Sequence, residues 1–316
     1  MTSAPATVVR RLHSHLLSIK PTGGVQKTLA KEILLSGTTL HSGIHTKVRL
    51  MPAMAGEGRY FVLGKWSSKR ITATAENAVD TPLCTMLCNA AGSSVRTVEH
   101  LLSAMEASGV DNSRIEIDGG DEVPILDGSS IEWSEAIREA GLSIAMDSSG
   151  NSMDKMVAFL QKPVSLIRNG SFIAAFPSPK IQVTYGIDFS QVPDIGFQWF
   201  SCFPMEDRVY SNEIASSRTF CIYEEVERLQ SIGLIKGGSL ENALVCSINK
   251  GWLNPPLRFS NEPCRHKILD LVGDLSLAGR GGNQGLPIAH FFAYKASHSL
   301  HVELARKLVN VYLHRT

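Results

Sequence analysis

The 316-residue sequence predicts an α+β chain made of two similar sheet-plus-helix sandwich domains, an internal duplication. Three observations carry this. Strand-like and helix-like periodicities alternate within each half rather than segregating between halves. Each half runs several short strands, a helix with a charged histidine motif, a further strand and a final helix. Between them, Met146 to Asp154 is a run of Ser, Asp, Gly and Asn with almost no apolar content, which reads as a linker. The expected organisation is a leader over 1–26, a first domain over 27–146, a linker over 147–154 and a second domain over 155–316.

The first 31 residues hold no Asp or Glu, but carry Arg10, Arg11, Lys20, Lys27 and Lys31 with Ser3, Ser14 and Ser18. Val8, Val9, Leu12, Leu16 and Leu17 supply an apolar side to a helix over 5–19. A basic, amphipathic, acid-free leader has the composition of an organellar transit peptide. Arginine carries more weight than serine as a signal here, which favours a mitochondrion over a plastid.

Strands are expected at Thr28 to Leu35 and Thr46 to Met51 around the turn-rich 36–43, then at Arg59 to Leu63 and Ile71 to Ala75. A helix follows from Thr97, a candidate N-cap, to a stop at Gly109. Ile115 and Ile117 alternate in a strand over Asn112 to Asp118. A turn at 124–129 enters a helix from Ile131 to Ala140 that Gly141 ends. In the second half, strands at Val164 to Ile167 and Phe172 to Phe176 flank Asn169-Gly170, a strong hairpin signal. Further strands are expected at Ile181 to Phe189, Thr219 to Ile222, Ala243 to Ser247 and Ala289 to Tyr294. Helices are expected at Glu224 to Ser231, Asn261 to Leu277 and Ser297 to Leu313.

Composition narrows the function. With 43% hydrophobic and 19% charged residues and a net charge of +1, nothing suggests a nucleic-acid surface. No run approaches the roughly 20 apolar residues of a membrane span. The six cysteines are scattered and read as reduced thiols; Cys84 and Cys88 look like half a zinc site with no second pair.

The helix over Asn261 to Leu277 carries the chemistry. Residues four apart sit nearly above one another, so His266, Asp270 and Asp274 form a polar ridge on an apolar helix. Taken alone, the ridge is satisfied by a core histidine and two solvent-facing aspartates. A divalent metal explains it better once a third ligand exists, and His100 opens the other motif-bearing helix. Glu99 diverges by about 100° from its neighbour, so it cannot share the ion easily, but it can reach a water there as a general base. His298 follows a strand at a helix start, where it can protonate a leaving amine if a carboxylate orients it; Asp274 is the natural partner. Thr219 supplies a hydroxyl for an oxyanion. His41, His45, His290 and His301 are expected to be structural or exposed.

Four ordered motifs, Thr97-Val98-Glu99-His100-Leu101-Leu102, Ser217-Arg218-Thr219-Phe220, Arg265-His266-Lys267-Ile268-Leu269-Asp270-Leu271-Val272-Gly273-Asp274 and Ala293-Tyr294-Lys295-Ala296-Ser297-His298, resemble the UDP-3-O-acyl-N-acetylglucosamine deacetylase family over about residues 27 to 313. That resemblance implies an active site between the two domains and hydrolysis of the 2-acetamido group of UDP-3-O-acyl-N-acetylglucosamine, the committed step of lipid A-type synthesis. It implies one zinc ion on His100, His266 and Asp270, with Fe(II) or Co(II) also acceptable to that ligand set. Glu99 would be the base, His298 the acid and Asp274 its partner. Thr219 and Lys267 would stabilise the oxyanion or bind substrate. It further implies an acyl tunnel from an insertion around Ile222 to Ala243, with Leu40, Met86, Leu87 and Phe220 near the sugar and acyl chain, and Lys295 and Lys162 on the phosphates. The chain departs from the family at Thr39, where a glycine is usual, and at Ala296-Ser297. Its leader, absent from bacterial members, points to a plant organellar version, a monomer with a small-molecule substrate. The competing readings are a non-catalytic nucleotide-sugar binding protein and an amidohydrolase acting on another acylated amino sugar.

Overall fold

The computed structural model describes residues 16–64 and 69–313. Two five-stranded sheets share one topology. The first runs Ile33–Thr38, His45–Pro52, Ser113–Asp118, Arg59–Leu63, Arg70–Thr72, and the second Val164–Arg168, Ser171–Pro177, Ala289–Tyr294, Gln182–Phe189, Gly196–Cys202. In each, the last strand in sequence takes the centre. Ser113–Asp118 lies antiparallel to His45–Pro52 and parallel to Arg59–Leu63; Ala289–Tyr294 lies antiparallel to Ser171–Pro177 and parallel to Gln182–Phe189. A parallel neighbour needs a crossover, and a helix supplies it in both halves: Glu99–Ala107 in the first and Glu262–Ser276 in the second. The duplication expected from the sequence is therefore present in the strand order.

Packing brings these two crossover helices together. The Glu99 helix packs on the Glu262 helix, which also contacts His298–Leu313. Leu101, Leu102 and Met105 from the first half and Ile268, Leu271 and Leu275 from the second belong to one buried cluster. The approach is close at Gly273, where a Cβ would lie 2.1 Å from the Glu99 carbonyl oxygen. Gly273→Ala should cost at least the roughly 1–3 kcal/mol of an overpacked core and displace Glu99. Thermal unfolding checks this, and an unchanged Tm would contradict the tight approach.

Several boundaries differ from expectation. Asn169 and Gly170 both take positive φ, as the hairpin signal requires. Thr28 to Leu35 is not one strand: Lys27–Leu29 pairs with Leu142–Ile144, while Ile33–Thr38 joins the first sheet. The leader helix over 5–19 falls mostly on residues outside those described. Its end is not helical, because Leu17–Val25 is a strand antiparallel to Asp154–Leu160. Lack of acid, the compositional signal, does not distinguish a basic strand from a basic leader. Thr97 does not cap its helix. It sits in the left-handed region at φ 58° with its hydroxyl donating to Glu122 Oε1 (3.1 Å), and the helix begins at Glu99 with no side-chain cap.

Candidate active site

Side chains from three helices converge on one cavity of about 590 Å³. Glu99 and His100 enter from the first turn of their helix, His266, Lys267 and Asp270 from the middle of theirs, and His298 from the start of the last. His100, His266 and Asp270 are all buried, with candidate ligand atoms within 4.8 Å of one another. The two imidazoles stand edge to face, 4.9 Å between centroids.

These groups suit a cation. His266 Nδ1 donates to the Ser217 carbonyl (2.9 Å), which leaves Nε2 facing Asp270 Oδ1 at 3.3 Å. Asp270 Oδ1 is buried and takes no hydrogen bond from the protein, and His100 Nδ1 is likewise unpartnered. Burial and the neighbouring His266 push the His100 imidazolium down to about 3, so the ring is neutral, as a ligand must be. Burial alone would raise Asp270, but His266, Lys267 and His298 outweigh it and hold the carboxylate well below its usual range. Lys267 Nζ donates to Asp270 Oδ2 (2.6 Å), leaving Oδ1 as the free oxygen. A buried carboxylate oxygen with no hydrogen-bond donor, facing two imidazoles, is costly without a cation.

Opposite lie a buried carboxyl group, Glu99, and an imidazole, His298. Glu99 is 3% exposed, and burial, with Asp274 and Asp270 nearby, raises it to about 7. Its Oε2 accepts the Thr85 backbone N–H (3.0 Å), and its Oε1 lies 4.0 Å from His298 Nε2. Burial lowers His298, but the Asp274 and Asp270 carboxylates prevail and raise it to about 9. Its Nδ1 donates to Asp274 Oδ2 (2.8 Å), leaving Nε2 directed at the cavity, 3.8 Å from Asp270 Oδ2. Asp274, fully buried, is held at about 2: its histidine partners overcome the burial that would raise it.

Thr219 lines the same cavity, its backbone tied to Gly128 and Leu244 on either side. The motif around it is fixed from behind by Glu262, which accepts the Arg218 backbone N–H (3.0 Å) and Nε–H (2.8 Å). Beyond Thr219 and Phe220 the cavity adjoins an apolar chamber of about 250 Å³, sharing Leu40, Phe220, Val226 and Ile235, with Leu240 and Val245 at its far side. Lys295 also borders the main cavity, its Nζ 3.3 Å from Asp188 Oδ2. Lys162, Met86 and Leu87 are not brought to either chamber: Lys162 is exposed between strands, and Leu87 is buried inside a small sheet of Ala78–Val79, Met86–Cys88 and Ser94–Arg96.

The comparison with known proteins decides the family. The family model described as UDP-3-O-acyl N-acetylglycosamine deacetylase matches residues 26–310. The chain belongs to this deacetylase family. It is 54% identical over 301 residues to the Arabidopsis thaliana protein named probable UDP-3-O-acyl-N-acetylglucosamine deacetylase 1, mitochondrial, covering 93% of this chain and 91% of that one. Cyanobacterial proteins named UDP-3-O-acyl-N-acetylglucosamine deacetylase are similar to it at 48% (Trichormus variabilis) and 49% (Nostoc sp.), each over 90% of this chain and 98% of the relative. The site also uses groups to which the sequence assigned no role. Thr85 and the Ser217 carbonyl act through backbone or a small hydroxyl, and His301 lies one helical turn past His298.

Proposed function

We propose that this chain is a zinc-dependent amidase that removes acetate from the 2-acetamido group of UDP-3-O-acyl-N-acetylglucosamine, in a lipid A-type pathway. The observation that carries it is the facing arrangement of Glu99 and the His298–Asp274 pair across the His100, His266, Asp270 cluster. A metal held by those three residues would polarise the amide carbonyl and lower the pKa of a water from about 15.7 to about 7. Glu99 Oε1 takes the proton of the attacking water. Thr219 donates its hydroxyl to the oxyanion as the carbonyl becomes tetrahedral, with Lys267 beside it. His298 then gives its Nε2 proton to the leaving nitrogen, the C–N bond breaks, and acetate and the free amine separate. Asp274 keeps the proton on Nδ1 and the ring aimed throughout. Fe(II) suits the same ligands.

The apolar chamber supports an acyl chain on O3, and Lys295 supports a diphosphate near Asp188. Every group named above comes from one chain, so the proposed reaction needs no second subunit. The proposed division into domains at 27–146 and 155–316 gives each one five-stranded sheet, while Leu17–Val25, assigned to the leader, pairs with Asp154–Leu160. The mitochondrial names of the Arabidopsis relatives support a mitochondrial location. Among the described residues no helix is long and apolar enough to cross a membrane. Acetate release by the zinc-loaded chain tests the reading. We expect release from the 3-O-acylated nucleotide sugar and at least 10-fold less from the same sugar without the acyl chain, since unused remote binding lowers turnover. Equal rates on both, or no release from either, would contradict it.

A further inference from the structure

His301 shares the carboxylate that serves His298. The two rings approach the same oxygen of Asp274: His298 Nδ1 at 2.8 Å and His301 Nδ1 at 2.9 Å from Oδ2. The other oxygen, Oδ1, accepts the Thr85 hydroxyl (2.5 Å). Behind His301, Nε2 lies 3.0 Å from the Tyr185 hydroxyl, whose single proton is shared between that nitrogen and the Ala296 carbonyl (2.6 Å) just before the His298 helix. His301, Asp274 and Tyr185 are all fully buried. A carboxylate only accepts, so His301 must carry its proton on Nδ1. Burial lowers His301, which keeps that ring neutral and sends its single proton to this nitrogen.

We infer that His301 is a positioning residue of the deacetylation: by donating Nδ1–H to Asp274 and resting on Tyr185, it holds the carboxylate in the plane that orients His298. Without it, Oδ2 keeps one donor, the Asp274 carboxylate turns about the bond to its remaining partners, and Nε2 of His298 loses its aim at the leaving nitrogen. The chemistry that needs this donor is modest. Any group with an N–H at the Nδ1 position will serve, and the Asn side-chain nitrogen sits at the same bond count from the backbone as His Nδ1. Leu places a methyl there instead. This rests on the deacetylase reading above.

The test compares His301→Asn, His301→Leu and His301→Gln in the metal-loaded full chain, with kcat, KM and Tm measured for each. Outer partners of reacting groups typically contribute about 10–100-fold. His301→Leu should lose that much kcat at unchanged KM, and His301→Asn should recover most of it. His301→Gln, polar but one methylene too long, should resemble the leucine variant, which keeps the comparison decisive if leucine prevents folding. A purely structural role predicts losses that follow Tm and touch KM equally, or Asn no better than Gln, and either result overturns the inference. Normal kcat in His301→Leu overturns it too. Absence of turnover in the wild-type chain overturns the deacetylase reading and this inference with it.

Discussion

Glu99→Gln should lower kcat by about 10²- to 10⁴-fold, the usual worth of a positioned general base, while Tm and metal content stay near wild type. The amide keeps the shape of the side chain and can still accept the Thr85 N–H that holds Oε2. What it lacks is the capacity to take a proton, which burial and two nearby carboxylates adjust to about 7 in the native side chain. A steady-state assay with metal analysis checks this. Turnover within a few-fold of wild type would remove Glu99 from its assigned role and leave the cavity without a base.

Asp274→Asn should cost a similar or larger factor, up to about 10⁴-fold, as when an orienting aspartate behind a catalytic histidine becomes an amide. Asp274 is buried and receives three donors: His298, His301 and Thr85. An amide has one acceptor oxygen. If its nitrogen faces the two rings, both Nδ1–H groups lose their acceptor; if its oxygen does, the rings stay bonded but the charge that keeps His298 protonated is gone. Both outcomes deprive the leaving nitrogen of its proton. KM should change little, because Asp274 lines neither chamber. A loss confined to KM would place Asp274 in binding instead.

Much of this site was legible because helical spacing is a strong constraint. His266, Asp270 and Asp274 repeat at every fourth position, and the structure separates them as that spacing allows: two toward His100, the third toward His298. Adjacent Glu99 and His100 likewise diverge, one to each side of the cavity. Long-range partners were not legible. Thr85 is 189 residues from Asp274 and meets it only because the two halves pack through Gly273. His301 read only as structural or exposed, and it is buried; what the sequence hid was whose carboxylate it satisfies.

The fold was missed for a different reason at Gly196–Cys202. Along this edge strand the outward residues include Phe197 and Trp199, whereas Gln198 faces inward and accepts the Cys264 backbone N–H (3.3 Å). Polar inside and aromatic outside inverts the pattern by which strands are recognised. Trp199 is accommodated because it lies over Gly186, where a Cβ would come within 2.6 Å of its ring, and stacks on Tyr294 at 5.5 Å. Thr97 shows the complementary failure. Its residue type fits an N-cap, but the chain turns left-handed there so that Glu99 can open the helix.

The most direct measurement is a titration of the metal-free chain with zinc, following acetate release from UDP-3-O-acyl-N-acetylglucosamine. Release should be absent before zinc is added and rise with the first equivalent bound. His266→Ala, with one of the three proposed ligands removed, should need far more zinc for any turnover. Full turnover by the metal-free chain, or a His266→Ala titration that overlays the wild type, would contradict the account.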